Sequence, residues 1–90
     1  MKREIIKSLQ VIPSIGPKVA WRLYDIGIRK VADLKGKSPE KLYEKSNKLI
    51  GMRQDPCLLY TFRCAVYFAS TKNPKPELLK WWNWKDRTSA

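Results

Sequence analysis

The sequence predicts an all-α protein, a compact bundle of five to six short helices, and three observations carry that expectation. Apolar residues recur at helical spacing, as at Val19, Leu23 and Ile26. Prolines stand where helices would begin (Pro17, Pro39, Pro56) and glycines where they would end (Gly27, Gly36, Gly51). No stretch alternates polar and apolar residues with the period of a strand. Ninety residues allow one domain, 1–90. Surface scaling has such a chain burying roughly 64% of its unfolded surface, enough for a modest core.

The elements follow in order. Residues 4–9 read as a short helix with Ile5, Ile6 and Leu9 on one side, and residues 11–16 as a tight connection. Residues 17–26 form a second helix, with Lys18, Arg22 and Asp25 on the face away from its apolar stripe. Residues 31–35 make a single helical turn ended by Gly36. Ser38, Pro39 and Glu40 then open another helix: serine as N-cap, proline at the first position, glutamate near the positive helix end. Asp55 and Pro56 repeat that start for a helix over about 56–70. This helix is apolar nearly all round, so it belongs at the buried centre of the bundle. A proline-rich break precedes a short Trp-rich helix over about 76–84. The turn around Gly16 and Pro17 has a faint echo between Gly51 and Pro56, which suggests a degenerate internal repeat.

Charge narrows the function. Nineteen Lys and Arg against eight Asp and Glu give +11, an excess that points to polyanions. Residues 1–54 hold thirteen cations and five acids, net +8, and residues 55–90 hold six and three, net +3. The absence of histidine excludes histidine triads, bases and metal ligands. Two cysteines without histidine make a complete metal site unexpected, and no cofactor motif is present. The acids are scattered, with no close pair for general acid–base work, so the expectation is a non-enzyme. The first residues lack the apolar run of a secretory signal, and the stretch 57–69 is too short to span a bilayer. A reducing cytoplasm is the expected setting, with no membrane role.

The most specific segment runs from Leu9 to Ala20. A helix ends, the chain turns, and Gly16 lets the backbone approach something closely. The amides opening the next helix are unpaired, the helix dipole adds positive potential, and Lys18 adds a full charge. That combination suits a phosphate. Ser14-Ile15-Gly16-Pro17-Lys18 resembles the helix-hairpin-helix motif of DNA repair and recombination proteins, with Ser14 replacing the usual first glycine. The resemblance implies that the hairpin over about residues 4–26 contacts DNA backbone without reading sequence. The contacts would come from Ser14, Ile15, Gly16 and Lys18, with Arg22 one turn further on. If position 14 needs a positive φ, serine is strained there; if it does not, its hydroxyl could donate to a phosphate.

A wider resemblance runs from about residue 5 to residue 87. It rests on Ile12 to Gly16, Asp33 to Gly36, Leu42-Tyr43-Glu44, Cys57 to Tyr60, Phe62 to Ala69 and Trp81 to Asp86. Together these are similar to the small bacterial pathogenicity locus family of stand-alone helix-hairpin-helix, SAM-like proteins, some labelled mitomycin-resistance proteins.

The remaining residues have structural readings. Trp81 and Trp82 are expected in the core or at its rim, and Cys57 and Cys64 as inert buried thiols. Trp21 lies off the apolar stripe of its helix. Arg63, alone in an apolar helix, must reach solvent or pair with a carboxylate such as Glu44 or Asp55. The functional expectation is a non-sequence-specific DNA-binding protein accessory to repair or recombination, helped by a homodimer or a protein partner. The alternative is a protein-interaction adaptor of the same fold.

Overall fold

The computed structural model describes residues 2–87, and these contain helices and turns but no strand. α1 spans Lys2–Leu9, α2 Pro17–Asp25, α3 Pro39–Ile50 and α4 Pro56–Ser70. Among the described residues there are also three 3₁₀ turns: Val31–Leu34 before α3, then Pro76–Leu79 and Trp81–Trp84 after α4. The radius of gyration is 11.9 Å, close to the ~12 Å of a compact 90-residue domain. No described helix is long and apolar enough to cross a membrane.

Local chemistry explains most boundaries. The Ser38 hydroxyl accepts the Lys41 N–H at 3.3 Å, and the Asp55 carboxylate accepts the Cys57 N–H at 2.8 Å. Both caps precede a proline at the first helical position. α2 ends in a Schellman turn. The Ile28 N–H donates to the Leu23 carbonyl at 3.0 Å and the Gly27 N–H to the Tyr24 carbonyl at 3.1 Å. Gly27 takes the left-handed conformation at φ 98°, and Ile28 and Leu23 are both buried.

α4 separates two apolar clusters. One of its faces carries Phe62 and Ala65 into the main core, where Ile6, Leu9, Leu23, Leu34 and Leu42 meet. The opposite face presents Cys64 and Tyr67 to Leu78 and Trp84. Having partners on both sides is why this helix is apolar nearly all round.

The C-terminal segment differs from the expected single helix. Lys80 adopts an extended conformation, φ −104° and ψ 116°, and splits it into two turns. Two of its carbonyls are claimed by side chains, one within the segment and one from the α1–α2 turn. Trp84 Nε1 donates to the Leu78 carbonyl at 2.8 Å, and the Ser14 hydroxyl to the Leu79 carbonyl at 2.7 Å. Trp84 is the tryptophan that fills the core, whereas Trp82 is 53% exposed. Arg63 pairs with Glu40, Nε to Oε2 at 3.1 Å, rather than with Glu44 or Asp55. Its Nη1 also donates to the Trp84 carbonyl at 2.9 Å, which ties α3, α4 and the last turn together.

Candidate functional site

The connection between α1 and α2 is anchored from below. The Ile12 N–H donates to the Leu9 carbonyl and the Ile15 N–H to the Ile12 carbonyl, each at 3.2 Å. Both isoleucine side chains are buried in the main core. Ile15 therefore shapes the turn, and its amide is already used.

Ser14 has a φ of 72°, the one positive value at a residue other than glycine among those described. A left-handed L residue costs about 1–2 kcal/mol. The conformation is held by the bond from Ser14 Oγ to the Leu79 carbonyl. Both expectations for this position are thereby resolved: the backbone is strained, and the hydroxyl proton goes to the C-terminal segment.

Gly16 is the opposite case. Its φ of −93° and ψ of −178° suit any residue, and an added Cβ would meet nothing within 4 Å. Nothing inside the molecule requires glycine here. α2 then begins without a side-chain cap. Pro17 has no N–H, and the first intrahelical donor is Ala20, bonded to the Gly16 carbonyl at 3.0 Å. The Lys18 and Val19 amides precede it and are unpaired. Lys18 is exposed and makes no hydrogen bond or ion pair with the described residues. The helix start and the ammonium group together can donate several hydrogen bonds to one anion.

Arg22 serves a different purpose in the same helix. Its Nε donates to Gln54 Oε1 at 2.9 Å. Gln54 is itself fixed: its Nε2 donates to Ser46 Oγ at 2.9 Å, its N–H to Asn47 Oδ1 at 2.9 Å, and its carbonyl accepts the Tyr43 hydroxyl. Arg22 thus braces α2 against the α3–α4 connection. Of the five residues read from sequence, Gly16 and Lys18 are the open pair, Ser14 and Ile15 build the turn beneath them, and Arg22 holds the helix in place. Gln54 carried no motif and no periodicity, so nothing local could have revealed its part.

Lys18 and Arg22 also border a cleft of about 340 Å³, walled by Val19, Ile50, Met52 and Leu58. Asp55 and Cys57 lie on its rim. The hydrogen bond from the Cys57 amide holds the Asp55 carboxyl below the usual carboxylate range. Asp55 in turn pushes the Cys57 thiol up. Cys57 is exposed, contrary to the expectation of burial, because it stands in the first turn of α4. Cys64 is buried, and burial pushes its thiol up to about 11. Neither shift favours a nucleophilic thiolate. Among the described residues, no three His, Cys, Asp or Glu side chains are grouped to hold a metal.

These features define a small, basic, all-α protein with an uncapped helix start open beside a shallow cleft. The pathogenicity locus family matches residues 2–90, and the chain belongs to that family. It is also similar to a mitomycin resistance protein, McrB, of Streptomyces lavendulae, at 36% identity over 76 residues, 84% of this chain and 69% of that protein. No solved structure matches it.

Proposed function

We propose that the protein binds DNA without reading its sequence, that α1, the turn and α2 act as a helix-hairpin-helix on the phosphate backbone, and that it works by binding rather than catalysis. An accessory role in repair or recombination fits that mode. The observation that carries the reading is Gly16. It is bare where its own fold has no need of a bare backbone, and it stands directly before two unpaired amides and the free Lys18 ammonium. A bare backbone there lets a phosphate come close to the helix start. The charge distribution supports it, since residues 1–54 carry net +8.

The test is fluorescence anisotropy on labelled duplex, single-stranded and branched DNA across a salt series. Two to four phosphate contacts give a slope of log K against log[salt] of about −2 to −4. Lys18→Glu is expected to abolish most of the binding. Gly16→Val should weaken it at unchanged fold, because the added side chain has room inside the molecule but stands in the path of a phosphate. Salt-independent binding, no binding, or equal binding by both variants would sink the reading.

A further inference from the structure

The apolar stripe of α3 runs on past the core. Leu42, Tyr43 and Ser46 are buried, and the next residues of the stripe, Leu49 and Ile50, are 62% and 38% exposed. Met52, just beyond the helix, is 64% exposed. α2 runs beside this end, with Lys18 and Arg22 next to Ile50 and Met52, but does not bury it. The result is a seam between the two helices. One part is the 340 Å³ cleft bordered by Lys18 and Arg22; the other is a depression of about 290 Å³ lined by Asp25, Ile26, Lys45, Lys48 and Leu49. From position 18 to position 26 of the chain the seam follows α2 for about 12 Å, two turns of helix.

We propose that this seam docks a short amphipathic segment of a partner protein, apolar on the side that enters and rich in Asp or Glu along its edges. The charges choose the occupant. Four cations, Lys18, Arg22, Lys45 and Lys48, line the two depressions against two acids, Asp25 and Asp55. Asp55 is committed to the Cys57 amide, as Arg22 is to Gln54 and Lys45 to the Ile26 carbonyl, which leaves Lys18 and Lys48 against Asp25 as the groups open to a partner. A second copy carries the same basic lining and a net +11 overall, so like charge opposes self-association there. A DNA backbone would satisfy the cations but offer nothing to Leu49, Ile50 and Met52. An acidic amphipathic helix satisfies both, with anchors at i, i+3 or i+4, and i+7. The short seam implies a small interface and a transient complex. The inference shares Lys18 with the proposed DNA site but is argued from the seam, and the peptide would bind whether or not DNA does.

The probe is a labelled 16-residue synthetic peptide with Leu at helical spacing and Glu on the flanks. Its two controls are a scramble of the same composition and a version with Lys for each Glu. Anisotropy reads affinity, and ¹H–¹⁵N shifts read location. The acidic peptide should bind at least about tenfold tighter than either control, with shifts confined to α2, the C-terminal half of α3 and Met52. The neutral variant Leu49→Ser/Met52→Ser should lose about tenfold in peptide affinity while keeping its melting temperature and its DNA affinity. Equal binding of peptide and scramble, or shifts elsewhere, would overturn the proposal. So would a dimer in sedimentation that the same variant dissolves, which would place a second copy on the seam. Loss of DNA affinity in that variant would give the seam to nucleic acid instead.

Discussion

Two neighbouring residues in the α1–α2 turn show opposite relations between conformation and identity. Ser14 occupies a backbone region that suits glycine, and Gly16 occupies one that suits anything. Ser14→Ala keeps the unfavourable φ and loses the bond to Leu79, a cost of about 1 kcal/mol. Ser14→Gly loses the same bond but relieves the backbone. In thermal denaturation Ser14→Gly should melt close to wild type, since strain relief offsets the lost bond, and Ser14→Ala below both; equal melting of the two variants would refute the strain account. Gly16→Ala should stay within about 0.5 kcal/mol of wild type, because the poorer N-cap and the stiffer unfolded chain oppose each other. Sequence reasoning could name both positions but could not see that the Ser14 hydroxyl had a partner 65 residues away.

Element boundaries were legible where short-range chemistry sets them. Ser38-Pro39, Asp55-Pro56, Gly27 and Gly51 all act as the sequence suggests. Ser38→Ala should cost about 1 kcal/mol in urea unfolding, since the Lys41 amide loses its acceptor. Asp55 adds a pH dependence. Its carboxyl sits below the ordinary 3.8 when folded, so its stabilising effect is complete above that value and is lost as pH falls through the lowered pKa. Urea unfolding from pH 5 to pH 2 should show this acid loss in wild type and less of it in Asp55→Asn, which caps without titrating. The C-terminal segment was misread as one helix for the complementary reason. A helix needs each carbonyl for the amide four residues on, and here the Leu78 and Leu79 carbonyls accept from Trp84 and Ser14.

At the scale of the molecule, α4 between two clusters makes stability depend on the C-terminal turns. Trp84→Ala should cost about 3–5 kcal/mol, a large part of the ~5–13 kcal/mol a 90-residue domain has. Denaturant unfolding followed by circular dichroism measures it. Cys64 supplies an alkaline limit from the same cluster. Its thiol is raised from 9.0 to about 11, so the folded state is favoured fully below pH 9 and loses this contribution as pH climbs from 9 to about 11. Stability should decline over that window in wild type and decline less in Cys64→Ala. Thiol labelling of the native protein should modify the exposed Cys57 and spare Cys64.

The sequence by itself determined the helical class, the starts and ends of the long helices, the central place of α4 and the position of the basic turn. Each of these follows from interactions within a few residues: caps, proline and glycine conformation, apolar spacing and charge. Only the tertiary structure decided which candidate residues stand open and which are engaged. Arg22 is committed to Gln54, Ser14 to Leu79, and Arg63 to Glu40 and Trp84, while Lys18 is left free and Leu49 and Met52 uncovered. Those outcomes depend on where distant segments meet, and the spacing of residues along a chain does not encode which side chains will find one another across a packed interior.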